Sequence, residues 1–299
     1  MPLIERFRDR LPVTAATPVV SLGEGSTPLL FAPRLSERLG VELWLKWEGS
    51  NPTGSFKDRG MTVAVSKAVE DGATTLVCAS TGNTAASAAA YGARAGLAVV
   101  IVHPAGAVSA AKLAQARAVG ARIVEVEGGF GAAFAEAEQL AAQPGYALVN
   151  SVNPYRLAGQ RTAAFEIVEE LGSTPDVLAL PYGGGGNTCA YARGFAEEGR
   201  VPRILAAEAA RRPETAASAI RIAEPVHRAE AEEHVRASGG AVVSLPDKEI
   251  LAARRQLGEL EGLFCETASA AGIAAAARER PPGRVVCTVT GHGLKDAGA

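Results

Sequence analysis

The stretch Thr75-Leu-Val-Cys-Ala-Ser-Thr-Gly-Asn-Thr-Ala-Ala-Ser-Ala-Ala-Ala-Tyr-Gly-Ala-Arg-Ala-Gly-Leu-Ala-Val-Val-Ile-Val-His103 decides the architecture. Its start, Thr75–Ser80, is a short apolar run closing on a hydroxyl; Thr84–Ala95 is Ala-rich and suits a helix; Ala98–His103 is a second apolar run. Strands apolar on both faces need cover on both faces, so the pattern predicts a parallel sheet between helices, joined by right-handed crossovers. Outward from it the rhythm continues with a helix at Ser109–Val119, a strand at Ala121–Glu127, a helix at Ala132–Ala142 and a run at Ala147–Asn150. After Pro154 come a helix at Arg161–Leu171, a strand at Val177–Pro181, a glycine run with another helix, and a strand near Arg203–Ala207. A helix near Lys248–Glu261 and a strand at Arg284–Thr290 complete the count, while the charged stretch Arg211–Gly240 resists assignment. The turn Asn51-Pro-Thr-Gly54 and the segment Asn150–Pro154 are the best places for the chain to cross between two domains.

A length of 299 residues allows two domains or one large α/β domain. The net charge of −2, without a Lys/Arg cluster, argues against nucleic acid and anionic membrane as partners. Residues Met1–Pro12 lack the apolar core of a signal peptide, and no stretch approaches the ~20 apolar residues of a spanning helix, so a cytoplasmic protein is expected. Cys78, Cys189, Cys265 and Cys287 lie far apart with no metal-ligand spacing, and read as buried free thiols; no metal is expected.

Four segments place polar or small residues beyond a strand or at a helix start. In Asn51-Pro-Thr-Gly-Ser-Phe-Lys-Asp-Arg-Gly60, Ser55 reads as an N-cap and Lys57 falls in the first helical turn. A cation is misplaced there, which suggests a lysine kept for its amine, as Schiff-base chemistry requires; a surface lysine paired with Asp58 is the alternative. Ser80-Thr81-Gly82-Asn83-Thr84 offers hydroxyls and backbone N–H groups to an anion, or is an ordinary strand–helix turn. Gly183-Gly184-Gly185-Gly186-Asn187 follows a strand directly, lacks the Gly-Lys-Ser/Thr of a nucleotide loop, and fits a phosphate cradle, with a flexible loop as the alternative. Val286–Gly293 is a strand ending in Thr290 and glycines, where a hydroxyl can meet a ring nitrogen; His292 reads as a structural imidazole bonded to a loop carbonyl, with a general base as the alternative. A lysine, a glycine cradle and a polar turn together suggest a phosphorylated aldehyde held as an imine.

At these residues the chain resembles the threonine synthase family, pyridoxal-phosphate enzymes of the tryptophan-synthase-β type. The likeness runs from Gly25-Ser-Thr-Pro-Leu29 through Asn51–Thr62, Cys78–Ala86 and Asn150-Ser-Val-Asn-Pro154 to Thr290-Gly-His-Gly-Leu-Lys-Asp296. The resemblance implies fold type II: two open, twisted, mostly parallel sheets with flanking helices and the site in the cleft between domains. Residues 1–55 and 151–299 would form the large domain, and 56–150 a small mobile one. It implies pyridoxal 5'-phosphate on Lys57, which also moves protons. Asn83 would bond the cofactor's phenolic oxygen, Gly183, Gly184, Gly185, Gly186 and Asn187 would surround its phosphate, and Thr290 would face its ring nitrogen. Ser80, Thr81 and Thr84 would bind the substrate carboxylate, and Asn150 and Arg156 its phosphate. The implied reaction turns O-phospho-L-homoserine and water into L-threonine and phosphate, in a homodimer.

Three departures from the family surround the substrate and largely spare the cofactor contacts. Gly184 stands where the family usually has an Asn that also reaches substrate phosphate. The chain runs almost directly from Glu208 to Arg212-Pro-Glu-Thr215, without the family's Ala-Gly-rich stretch. Thr267 replaces a proline in Phe264–Ala270. A related lyase or β/γ-replacement enzyme acting on another amino acid is therefore the alternative, and a binding protein that has lost turnover is the third; retention of Lys57 counts against the last.

Overall fold

The computed structural model describes residues 1–106 and 110–296, with the backbone alone at 110–112. In chain order the helices are α1 Leu3–Arg6, α2 Pro33–Leu39, α3 Lys57–Glu70, α4 Asn83–Arg94, α5 Ala110–Ala118 and α6 Phe130–Ala141. They continue with α7 Pro154–Gln160, α8 Thr162–Leu171, α9 Gly186–Glu197, α10 Arg228–Ala237, α11 Asp247–Glu261 and α12 Ala271–Glu279. The strands are β1 Leu29–Phe31, β2 Glu42–Trp47, β3 Thr75–Ala79, β4 Ala98–Pro104 and β5 Arg122–Val126, then β6 Tyr146–Leu148, β7 Val177–Pro181, β8 Arg203–Ala209, β9 Ala241–Leu245 and β10 Arg284–Val289.

They form two sheets, as the apolar rhythm requires. One has four parallel strands in the order β5-β4-β3-β6, and the other six in the order β1-β2-β10-β7-β8-β9, parallel except for β1. In the six-stranded sheet, β7 and β10 are buried along almost their whole length between separate apolar clusters on the two faces. The four-stranded sheet likewise packs α3 and α4 on one face and α6 on the other. The C-terminal ends of β3, β7 and β10 carry the polar segments, where open α/β sheets collect ligands.

Several sequence expectations are corrected. Residues 150–161 are not simply a crossing before a helix at Arg161: α7 begins at Pro154, its N-cap Asn153 accepting a bond from the Tyr155 N–H, and α8 starts afresh at Thr162. Proline at the first helical position starts a helix because its missing N–H is not needed there. Ser55 is not an N-cap. It pairs as a bridge with Gly291, and the residue before α3 is Phe56. Strands β1, β2 and β9 and helix α12 were not expected; α12 is Ala-rich and buried, so neither polar alternation nor flanking caps announce it. Within Arg211–Gly240 lie two short 3-10 turns and α10. The expected helix start at Ser109 lies outside the described residues. All four cysteines are buried and free, as expected.

Candidate active site

Lys57 is the first residue of α3, and the segment leading to it lies across the end of β10. The Phe56 N–H donates to Thr290 O (3.0 Å) and the His292 N–H to Gly54 O (2.9 Å). The two residues after the lysine anchor it. Asp58 accepts from the Thr53 N–H (2.7 Å), Thr53 Oγ1 (2.6 Å) and Ser87 Oγ of α4 (2.6 Å), so it does not pair with Lys57. Arg59, fully buried, forks between Glu48 (2.7 and 2.8 Å) and Glu166 of α8 (2.6 and 2.9 Å). The lysine is therefore followed by two residues whose polar groups are already engaged. Its own amine is desolvated and feels the positive charge of Arg156, which together lower its pKa to about 7.

Arg156 reaches this position because α3 and α7 touch through backbone. A Cβ built on Gly159 would lie 2.0 Å from Arg59 O, and one on Gly60 would lie 2.5 Å from Arg156 O. Arg156 is completely buried, and burial lowers its pKa to about 10. One N–H donates to Val149 O (2.7 Å), while Nε and the other terminal nitrogen have no partner in the protein. A buried guanidinium with free donors can serve as a receptor for an anion.

The glycine run closes β7 and opens α9, whose first N–H groups have no intrahelical acceptor. Gly185 has φ +87°, and a Cβ there would lie 2.9 Å from His227 O; one on Gly183 would meet Ile220 Cα at 3.2 Å. Asn187 is part of the same turn, and both of its side-chain polar atoms are buried without partners, as is Thr188 Oγ1. This cradle fits a phosphate: small, lined by backbone N–H groups, with idle amide and hydroxyl donors. His227 braces it, its N–H donating to Gly184 O (3.0 Å) and its ring lying against Ser151 O (3.1 Å). The short connection after β8 also serves the cradle. Arg212 pairs with Glu208 and donates to Gly183 O and Ile222 O (both 3.1 Å).

At the end of β3, Ser80 Oγ accepts from the Gly82 N–H (3.2 Å), and Thr81, Asn83 and Thr84 are half-buried around the start of α4. Asn150 has a structural task that the sequence did not announce. Its amide accepts from the Ala79 N–H (2.9 Å) and donates to Ala79 O (2.8 Å), which holds the end of β3 and leaves one N–H for anything else. Thr290 Oγ1 is buried and 2.9 Å from Ser269 Oγ. The His292 ring accepts from the Leu294 N–H (3.2 Å) and packs on Trp47 and Phe264; it is structural, though its partner is an amide and not a carbonyl.

Sequence reasoning missed three groups. Ser55 Oγ is buried without a partner two residues from the lysine. Ser269 bonds Thr290. Glu266 is buried, accepts from Asn83 Nδ2 (2.9 and 3.0 Å), and is pushed up by burial to about 7. A charged residue inside the small-residue run Cys265–Ala271 was the available signal for Glu266. Among the described residues, the thiol, carboxylate and imidazole of Cys189, Glu230 and His234 lie within 4.8 Å of one another, but Arg193 already supplies Glu230 with a cation.

The model of the family described as pyridoxal-phosphate dependent enzymes matches residues 20–291. A threonine synthase of Halalkalibacterium halodurans is 46% identical over 98% of this chain and 89% of its own. One from Mycobacterium leprae is 48% identical over 98% and 88%. Among solved structures, maize serine racemase superposes with a TM-score of 0.80 at 22% identity, covering 97% of this chain and 93% of its own.

Proposed function

The chain belongs to the threonine synthase family of pyridoxal-phosphate-dependent enzymes, and from that membership we propose that it converts O-phospho-L-homoserine and water to L-threonine and phosphate. When bound, pyridoxal phosphate supplies the electron sink that makes protons beside the amino group removable. Lys57 holds the aldehyde and moves protons at the α and β carbons, tasks that need an amine neutral near pH 7. The Gly183–Asn187 turn holds the cofactor phosphate, Asn83 its phenolic oxygen and Thr290 its ring nitrogen. Ser80, Thr81 and Thr84 take the substrate carboxylate.

The observation that carries the substrate assignment is Arg156. Its idle, buried nitrogens are near enough to Lys57 to lower its pKa and are additional to the idle Asn187 and Thr188 atoms of the glycine cradle, and so we read them as a second anion receptor, for the leaving phosphate. Asn150 supports it from the end of β3. Closure of the four-stranded sheet over the cleft excludes water until phosphate has left; α3, although it lies within 56–150, is held to α7 by backbone contact and does not part from Arg156. The protein works as a cytoplasmic homodimer; no helix among the described residues is long and apolar enough to cross a membrane. The test is to add O-phospho-L-homoserine to purified holoenzyme and assay threonine and phosphate. Equimolar products, lost in Arg156→Ala, are expected. Absence of phosphate release, with turnover of another amino acid, would move the chain to a related lyase.

A further inference from the structure

Resting on the reading above, we propose that Glu266 is a positioning residue: its carboxylate grips one N–H of the Asn83 amide from across the cleft and so aims the other at the phenolic oxygen of bound pyridoxal phosphate.

The grip joins the two halves of the molecule. Asn83 opens α4 just beyond β3 of the four-stranded sheet, whereas Glu266 lies between α11 and β10 of the six-stranded one. Both carboxylate oxygens converge on the same nitrogen, at 2.9 and 3.0 Å. A primary amide has two donors, so one remains for a ligand, and its direction is set by the one already engaged.

The carboxylate is itself held in place. The Glu266 N–H donates to Gly291 O (3.0 Å), and a Cβ at Gly291 would lie 2.3 Å from Glu266 Oε1, so only glycine at the end of β10 admits the carboxyl. Ser269 Oγ accepts from the Gly291 N–H (2.8 Å), locking turn to strand end. The Thr267 N–H donates to Asp296 Oδ2 (2.6 Å), a bond that the family's proline has no hydrogen to make. Glu266 is only 4% exposed, and a carboxylate in such a place needs a donor. Asn83 is its hydrogen-bond donor, with Asp296, Lys295 and Lys57 near enough to influence its charge.

A role through Asn83 differs from a role as counter-charge to Lys57, and substitution separates them. In Glu266→Gln the side chain keeps an oxygen that accepts from Asn83 but has no charge; in Glu266→Ala it has neither. The experiment titrates the visible absorbance of substrate-free holoenzyme against pH for wild type, Asn83→Ala, Glu266→Ala, Glu266→Gln and the double alanine variant, and measures kcat and KM for each. Expected are midpoint shifts of the same sign and similar size in the two alanine variants, with no further shift in the double. Turnover falls about tenfold to a hundredfold in kcat, the scale of one hydrogen bond to a charged group, with KM changed less. Glu266→Gln restores midpoint and turnover to within a few-fold of wild type. Additive shifts, a wild-type midpoint in Glu266→Ala, or a Gln variant as defective as Ala would overturn the proposal. Should Glu266→Ala not fold, Glu266→Asp takes its place, since its shorter chain keeps the charge but withdraws it from Asn83. Wild type with no visible absorbance after cofactor loading would instead sink the cofactor reading.

Discussion

Replacing Gly184 by Asn should tighten the hold on a phosphorylated substrate, and the structure sets the size of the effect. A Cβ on Gly184 meets only Ile222 Cδ1, at 3.6 Å, and its φ lies outside the left-handed region, so a side chain enters without strain. Neighbouring Gly185 has neither freedom. The added amide supplies one donor to an anion, about 1.5–3 kcal/mol for a hydrogen bond to a charged group. Ordering the Asn side chain takes back roughly 1 kcal/mol. The remaining ~0.5–2 kcal/mol corresponds to a KM about twofold to thirtyfold lower, at 1.4 kcal/mol per factor of ten. Initial rates of phosphate release against O-phospho-L-homoserine concentration measure it, with cofactor absorbance and Tm as controls. An unchanged or higher KM, in a variant with wild-type absorbance and Tm, would refute the argument that this position faces a substrate phosphate.

Cofactor attachment to apoprotein should follow the neutral fraction of Lys57. Its amine, lowered to about 7, is reactive above that pH, so the attachment rate rises through about pH 7 and levels off; a midpoint near the ordinary ~10.4 of lysine would contradict the burial argument. Glu166 is pushed upward by burial, but Arg59 and Lys46 outweigh that and hold it at about 2, below its unfolded value of 4.5. Its stabilising share is therefore complete above pH 4.5 and is lost as pH falls towards 2, on the order of 3 kcal/mol, and the fall in Tm over that window should be shallower in Glu166→Gln. Gly159→Ala drives a methyl against the Arg59 carbonyl, so it should lower stability by about 1–3 kcal/mol or more and reduce cofactor retention, as thermal unfolding and absorbance would show.

The double-faced apolar runs were legible because burial on both sides leaves no polar alternation: β7 is predicted to the residue, and β3, β4 and β10 to within one at each end. The glycine cradle and Lys57 were legible for a related reason, since four consecutive glycines at a strand end and a cation at a helix start each violate a local preference. Edge strand β1 and the outer strand β9 were not, because short strands with exposed positions look like loops. The roles of Asn150 and Glu266 were hidden for another reason. Each depends on a partner distant in the chain, Ala79 for the first and Asn83 for the second, and no local pattern encodes which distant group a polar side chain will meet. The resemblance carried Asn150 to the site but not its duty of holding a strand end.

The backbone contact between α3 and α7 has a bearing on selectivity. Gly60 and Gly159 bring the two helix backbones into contact, so Lys57 and Arg156 ride on segments fixed to each other, and the gap from amine to guanidinium is a length that loops cannot retune. Under the proposed reading this gap acts as a ruler for the substrate's carbon chain. A phosphorylated amino acid one methylene shorter would seat either its α carbon or its phosphate, never both, and would be turned away by geometry before any chemistry begins.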